Sequence, residues 1–188
     1  MRDSRKVTDF DVLSYRSGIR ELYERAMTAA AVAETVLASH GGGGNWPYAM
    51  QLAGSVLDAL EAADAGGCSR LGVYFLWRWA AHLGARPDIS ACASCACEAA
   101  PDAVLWYSAR REALYCEDCM RRESQYARSP ADSSSLLKLE SGSRLWLEEA
   151  ESLPPAAQEA PVPEQARALA KAVLAAALGK RLHTWEGI

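Results

Sequence analysis

The sequence lacks the marks of export and of membrane insertion. Met1-Arg2-Asp3-Ser4-Arg5-Lys6 leads into no apolar h-region, so there is no secretory signal, and no run of about 18 apolar residues occurs. The most apolar stretch, Val73 to Leu83, is cut by Arg78 and suits a buried helix. A basic excess is missing as well. Lys and Arg number 20 against 24 Asp and Glu, giving a net charge of −4 and a pI near 5.5, which argues against unaided tight binding to a nucleic-acid backbone. The 13 glycines and 8 prolines are too few for a collagen-like or low-complexity chain. There is no internal repeat. Gly41 to Gly44 is followed by neither Gly-Lys-Ser nor Gly-Lys-Thr, so it is no phosphate-binding loop. No G-x-S-x-G elbow or clustered acid pair suggests hydrolysis. His40, His82 and His183 stand apart without metal-ligand spacing. These absences predict a cytoplasmic protein that is not an enzyme.

What the chain does have is apolar content. Of 188 residues, 50% are hydrophobic and 23% charged, enough for one well-cored domain or a helical domain with a small appended module. From Gly18 a helical period carries Ile19, Leu22, Tyr23, Ala26, Ala30, Ala33 and Leu37 on one stripe, with Glu21 and Arg25 paired on the outer face. The run Gly41 to Gly44 ends it. Asn45-Trp46-Pro47 opens a second helix through Leu52, Ala53, Val56, Leu57 and Leu60, expected to stop near Asp64-Ala65-Gly66-Gly67. A third, from about Ser69 to Leu83, carries Leu71, Phe75 and Trp79 on one side and Tyr74 and Trp77 on another, the pattern of a helix central to its domain. Ser129-Pro130-Ala131-Asp132 reads as the start of a further helical stretch, interrupted at Ser141-Gly142-Ser143 and resumed through Leu147. The last helix spans roughly Glu164 to Arg181, with Leu169, Val173, Leu174, Ala177 and Leu178 inward.

Five of the six cysteines fall between Pro87 and Ser124. Cys92-Ala93-Ser94-Cys95 is followed, twenty residues on, by Cys116-Glu117-Asp118-Cys119, a spacing used by zinc sites. Each C-x-x-C aims two thiolates from one tight knuckle at a common ion, and two knuckles complete a tetrahedron. Val104-Leu105-Trp106-Tyr107 and Ala113-Leu114-Tyr115 read as short strands of a hairpin returning the second knuckle to the first. Four thiolates close the coordination sphere, so the ion would be structural Zn2+, and the ion with its ligands would take the formal charge from −4 to −6. Paired disulfides, a thioredoxin-like redox site and a metal-free relic are the alternatives. Cys97 competes with Cys95 for the first knuckle, and Ala96 stands where such knuckles often carry glycine. Cys68 reads as a small buried residue.

Arg110, Arg111, Arg121, Arg122 and Arg128 cluster near this module with Trp106, Tyr107 and Tyr115. Arginines among aromatics can grip single-stranded nucleic acid, whereas Glu112, Glu117, Asp118 and Glu123 dilute the field toward an ordinary solvated surface. The fold expected is mainly α, a helical bundle with an inserted zinc-ribbon-like β-hairpin module carrying four cysteine ligands. Residues 17–86 and 125–188 form the helical domain, 87–124 the zinc-binding module, and 1–16 a remnant strand or linker around Val7 to Leu13.

Tyr15-Arg16-Ser17-Gly18-Ile19-Arg20-Glu21-Leu22-Tyr23-Glu24-Arg25, then Phe75-Leu76-Trp77-Arg78-Trp79 running into Leu83-Gly84-Ala85-Arg86-Pro87-Asp88, the two C-x-x-C pairs and the closing Leu178-Gly179-Lys180-Arg181-Leu182 occur in that order. The order resembles the C-terminal helical and zinc-binding part of the bacterial RecO family from about Tyr15 onward. The resemblance implies a recombination mediator in DNA repair that anneals single-stranded DNA, joins RecR and helps load RecA onto DNA coated by single-strand-binding protein. It carries the zinc ligands onto Cys92, Cys95, Cys116 and Cys119, and it places the protein at the nucleoid. RecO proteins begin with an OB-fold that engages DNA, for which this sequence has no room ahead of Tyr15. The expectation is therefore a protein-interaction scaffold, with Arg121 and Arg122 among its contact candidates. A nucleic-acid-binding zinc module and a C-x-x-C redox protein are the rival readings.

Overall fold

The computed structural model describes residues 14–39, 45–126 and 136–188, together with Asp9, Asp11 and Val12. Its α-helices are α1 (Tyr23–Ala38), α2 (Trp46–Leu60), α3 (Ala65–His82), α4 (Glu117–Tyr126), α5 (Ser141–Ser152) and α6 (Glu164–Leu178). Short 3-10 turns lie at Ser17–Arg20, Pro155–Ala157 and His183–Gly187. The strands are β1 (Leu105–Ser108), β2 (Ala113–Cys116) and β3 (Leu136–Leu139). Among the described residues, no helix is long and apolar enough to cross a membrane.

Helix α3 is the central post, and α1, α2, α5 and α6 all pack against it. Its aromatics are buried on every side, Phe75, Trp77 and Trp79 completely and Tyr74 nearly so. Burial on this scale requires polar tips to find partners. Trp77 Nε1 donates to Glu151 Oε1 at 3.2 Å, Trp79 Nε1 to Ser39 Oγ at 3.2 Å, and the Tyr74 hydroxyl to the Leu153 carbonyl at 3.1 Å. Arg78 also donates to the Glu151 carbonyl. Thus α5 is fastened to α3 by polar bonds as well as by packing.

Several expectations change in the folded chain. Gly66 and Gly67 do not terminate α2; they form the first turn of α3, because Asp64 Oδ1 accepts the Gly67 amide at 2.6 Å and caps that helix. The inward face of α1 consists of Thr28, Ala31, Val32 and Thr35, whereas Tyr23 and Leu37 of the expected stripe are 73% and 76% exposed. The reason is polar: Thr35 Oγ1 accepts the buried indole N–H of Trp185 at 2.9 Å, so the threonine face turns inward. In α6, Ala166, Leu169, Ala170, Val173 and Leu174 are buried. The helix stops at Leu178, with Gly179 left-handed at φ 66.

The sheet has the order β2-β1-β3, all antiparallel, with Leu105 opposite both Cys116 and Leu139. The hairpin between the knuckles is as expected. The third strand is not, for Leu136–Leu139 pairs with β1 and Ser141 opens α5 instead of interrupting a helix. Ser129 to Asp132, most of Val7 to Leu13, His40 and Gly41 to Gly44 lie outside the described residues. Pleating gives the sheet two unlike faces. Leu105, Tyr107, Leu114 and Leu139 join the helical core, whereas Tyr115 packs with Cys92 and Cys119. Arg144 of α5 is 4% exposed and donates to the carbonyls of Ala100 and Pro101 at 2.6 and 3.0 Å. It ties the segment leading into β1 to the helices.

Candidate metal centre

The first knuckle is shaped by its own backbone. Ala91 bridges Glu98, the Cys92 amide donates to the Cys97 carbonyl at 3.0 Å, and the Ala96 amide to the Cys92 carbonyl at 2.9 Å. Closing so tight a loop places Ala96 at φ 56, a left-handed conformation that glycine tolerates best. The Ala93 amide donates to the Leu114 carbonyl at 2.9 Å, which pins this knuckle to β2. The second knuckle needs no separate loop. Cys116 is the last residue of β2 and Cys119 lies in the first turn of α4, so the strand-to-helix junction aims both inward.

Five thiols meet between these elements. Cys92, Cys95, Cys97 and Cys116 have sulfurs all within 4.8 Å of one another and can hold a metal ion. Cys119, expected as a ligand, lies outside that mutually close set, where Cys97 stands instead, and meets it at Cys95 and Cys116. Cys92 and Cys119 are buried, Cys116 half-buried, Cys95 and Cys97 exposed. Ligands of a tetrahedral Zn2+ at about 2.3 Å stand about 3.8 Å apart, and the Cys95–Cys116 sulfur separation is 3.8 Å. The donor set therefore fits a thiophilic ion. Cys95 and Cys97 stand closer, at 3.1 Å.

The thiols differ in how readily they ionise. Burial opposes ionisation of Cys92, but backbone bonding at Cys95, Cys116 and Ser94 outweighs it and brings the thiol down to about 6. The Ser94 amide lies 3.4 Å from its sulfur. Cys95 is lowered chiefly by bonding to Cys97, and Cys97 is raised chiefly by its contact with Cys95. For Cys116 the bond from the Cys119 backbone favours the thiolate, but burial and the neighbouring thiols push it up to about 12. Negative charge in this space is thus shared by competing sulfurs. A divalent cation at the centre would permit four to ionise together.

The arginines surround this cluster in different ways. Arg122 turns back, its Nη2 donating to Cys119 Sγ and its Nε to the Asp118 carbonyl, both at 3.3 Å. Arg121 pairs with Glu117 one turn earlier at 2.9 Å. Arg111 lies 5.9 Å from the Tyr115 ring centroid, and Arg110 is exposed in the β1–β2 turn. Tyr107 and Tyr115 are only 1% and 6% exposed, so they offer no open ring face on which a base could stack. Arg128 lies outside the described residues. Away from the cluster, Cys68 is buried, which raises its thiol, and His82 packs between Tyr48 and Trp79.

By spacing Cys97 is only a substitute for Cys95, whereas the fold puts both in one cluster. The one-residue spacing was the available signal. The bond from Arg122 to a cysteine sulfur had no separate signal, since a basic residue three positions after a cysteine is unremarkable until the helix forms.

Fold and site together define a mainly helical protein with a cysteine knuckle module docked on its core. More particularly, the family model described as recombination protein O C terminal matches residues 20–186, and the chain belongs to that family. Membership places it in DNA recombination and repair at the family level. No curated protein and no solved structure matches it.

Proposed function

We propose that this chain is a non-enzymatic scaffold of recombinational repair, acting by protein–protein contact. The observation that carries this reading is the family match across residues 20–186. By family resemblance its partners are RecR and single-strand-binding protein, and its place is the cytoplasm at the nucleoid. Contact with protein rather than DNA is supported by the net charge of −4, the burial of Tyr107 and Tyr115 and the pairing of Arg121 with Glu117. Arg110, Arg111, Arg121 and Arg122 remain the candidate contact residues for a partner.

In the same reading one structural Zn2+ is held by Cys92, Cys95, Cys116 and Cys119. When bound, it supplies a redox-inert cross-link between the two knuckles. Arg122 would stabilise the Cys119 thiolate from outside the ligand set. The test pairs co-elution of the full chain with RecR and with single-strand-binding protein against a filter-binding salt titration on single-stranded DNA. Stoichiometric complexes with either protein, and DNA retention only at low salt, support the scaffold. Tight DNA binding that falls steeply with salt, without protein complexes, would favour the nucleic-acid module. Metal analysis after purification under reducing conditions should return one zinc per chain; a metal-free chain that reduces insulin would favour the redox reading.

A further inference from the structure

A tetrahedral ion takes four thiolates, and this cluster contains five thiols. The surplus is concentrated at one point. Cys95 and Cys97 are both exposed, a single residue separates them, and their sulfurs are 3.1 Å apart. That is shorter than the edge of about 3.8 Å expected of a zinc tetrahedron, and about 1 Å longer than a disulfide bond. The backbone holds them together. Ala96 folds the chain at φ 56 between the two residues, and the Cys97 carbonyl is fixed by the Cys92 amide at 3.0 Å. In an extended chain the same two side chains would share a face but stand a full pleat apart.

We propose that Cys95 and Cys97 form an oxidant-responsive dithiol, which hydrogen peroxide closes to a disulfide and thereby withdraws at least one ligand from the metal. The thiolate of one attacks a peroxide oxygen; the O–O bond breaks, hydroxide leaves and a sulfenic acid forms. The thiolate of the other attacks that sulfur; the S–S bond forms and a second hydroxide leaves. The two thiol protons neutralise the hydroxides, so two electrons pass from sulfur to peroxide and two waters result. Whichever four cysteines bind the ion, at most three remain afterwards, too few for a closed tetrahedron. A disulfide spanning one intervening residue on an exposed loop is strained, and strained exposed disulfides are readily reduced by a small thiol. Reduction would restore the site. The withdrawal of metal rests on the metal reading above; the disulfide does not.

The experiment uses the full chain, zinc-loaded under reducing conditions, desalted and treated with hydrogen peroxide. Released zinc is followed with a chromophoric chelator, and the disulfide is located by peptide mass mapping after alkylation of the remaining thiols. The expected result is loss of two free thiols, the mass of two hydrogens missing from the peptide bearing Cys95 and Cys97, and zinc released in step. Cys97→Ser should release zinc about tenfold more slowly at the same peroxide concentration. A first disulfide between Cys92 and Cys95 or between Cys116 and Cys119 overturns the proposal, as does release from Cys97→Ser at the unaltered rate. If Cys97→Ser does not hold zinc, the disulfide map of the unaltered chain decides. A chain that closes Cys95–Cys97 but never carried zinc retains the dithiol and removes the metal reading, so the two fail separately.

Discussion

Replacing Ala96 with glycine should tighten the metal centre. Ala96 stands at φ 56 in the loop that turns the first knuckle. A left-handed backbone costs an L-residue about 1–2 kcal/mol relative to its preferred conformation. Glycine escapes that cost but loses about 0.5–1 kcal/mol more chain entropy on folding. The Ala96 methyl is exposed, so its removal forfeits little buried surface. The balance is about 0–1.5 kcal/mol in favour of Ala96→Gly, and its midpoint of about 0.75 kcal/mol is about a 3.5-fold lower Kd if all of it is spent in ordering the knuckle on binding. Ala96→Val should move the other way by about 1 kcal/mol, because a β-branched residue at positive φ is a steric outlier. Chelator competition measures the affinity, and denaturant unfolding of metal-loaded and metal-free chains measures the stability. An Ala96→Gly chain with both quantities unchanged or worse, or an Ala96→Val chain that binds metal as tightly as the unaltered one, would rule out strain at this position.

Gly18 allows the turn at Ser17–Arg20 to touch the end of α2, since a Cβ there would lie 2.3 Å from the Glu61 carbonyl oxygen. Gly18→Ala should cost about 1–3 kcal/mol in denaturant unfolding. Trp79→Ala, at a fully buried position, should cost about 3–5 kcal/mol in the same assay. Removal of metal, or Cys116→Ser, should raise amide hydrogen exchange across Cys92 to Cys119 while α3 stays protected; uniform exchange before and after chelation would deny the ion a structural role. Asp88 is held below its ordinary value of 3.8 by bonds from the Ser90 hydroxyl and amide. A depressed carboxyl contributes stability that is fully present above its unfolded pKa and is lost as pH falls through the folded one. Asp88→Asn should therefore flatten the acid side of the stability profile below about pH 4, and an identical acid limb in both chains would contradict this.

Much of the architecture was legible along the chain because its signals are local. The burial of Phe75, Trp77 and Trp79 follows from their number on one helix, and the β1–β2 hairpin follows from two short apolar runs around polar Ser108 to Glu112. The inward face of α1 was not legible. Alanine suits either side of a helix, and nothing local tells that Thr35 will meet the indole of Trp185, 150 residues away. Strand β3 was equally hidden, since Leu136–Leu139 becomes a strand by hydrogen-bonding to the free edge of β1. A short apolar run has no period long enough to distinguish strand from helix.

The cysteine centre divides along the same line. Sequence alone determined that two C-x-x-C knuckles flank a hairpin, because each knuckle needs only three consecutive peptide units to aim two sulfurs at one point. It also determined the family, whose match spans residues 20–186. Only tertiary structure decided that Cys97 joins the cluster at 3.1 Å from Cys95, that Arg122 turns back onto Cys119, and that Tyr107 and Tyr115 are buried on opposite faces of the sheet. Each of these depends on a backbone reversal or a packed neighbour. Residue spacing fixes reach along the chain, but direction in space is set by the surfaces the chain folds against.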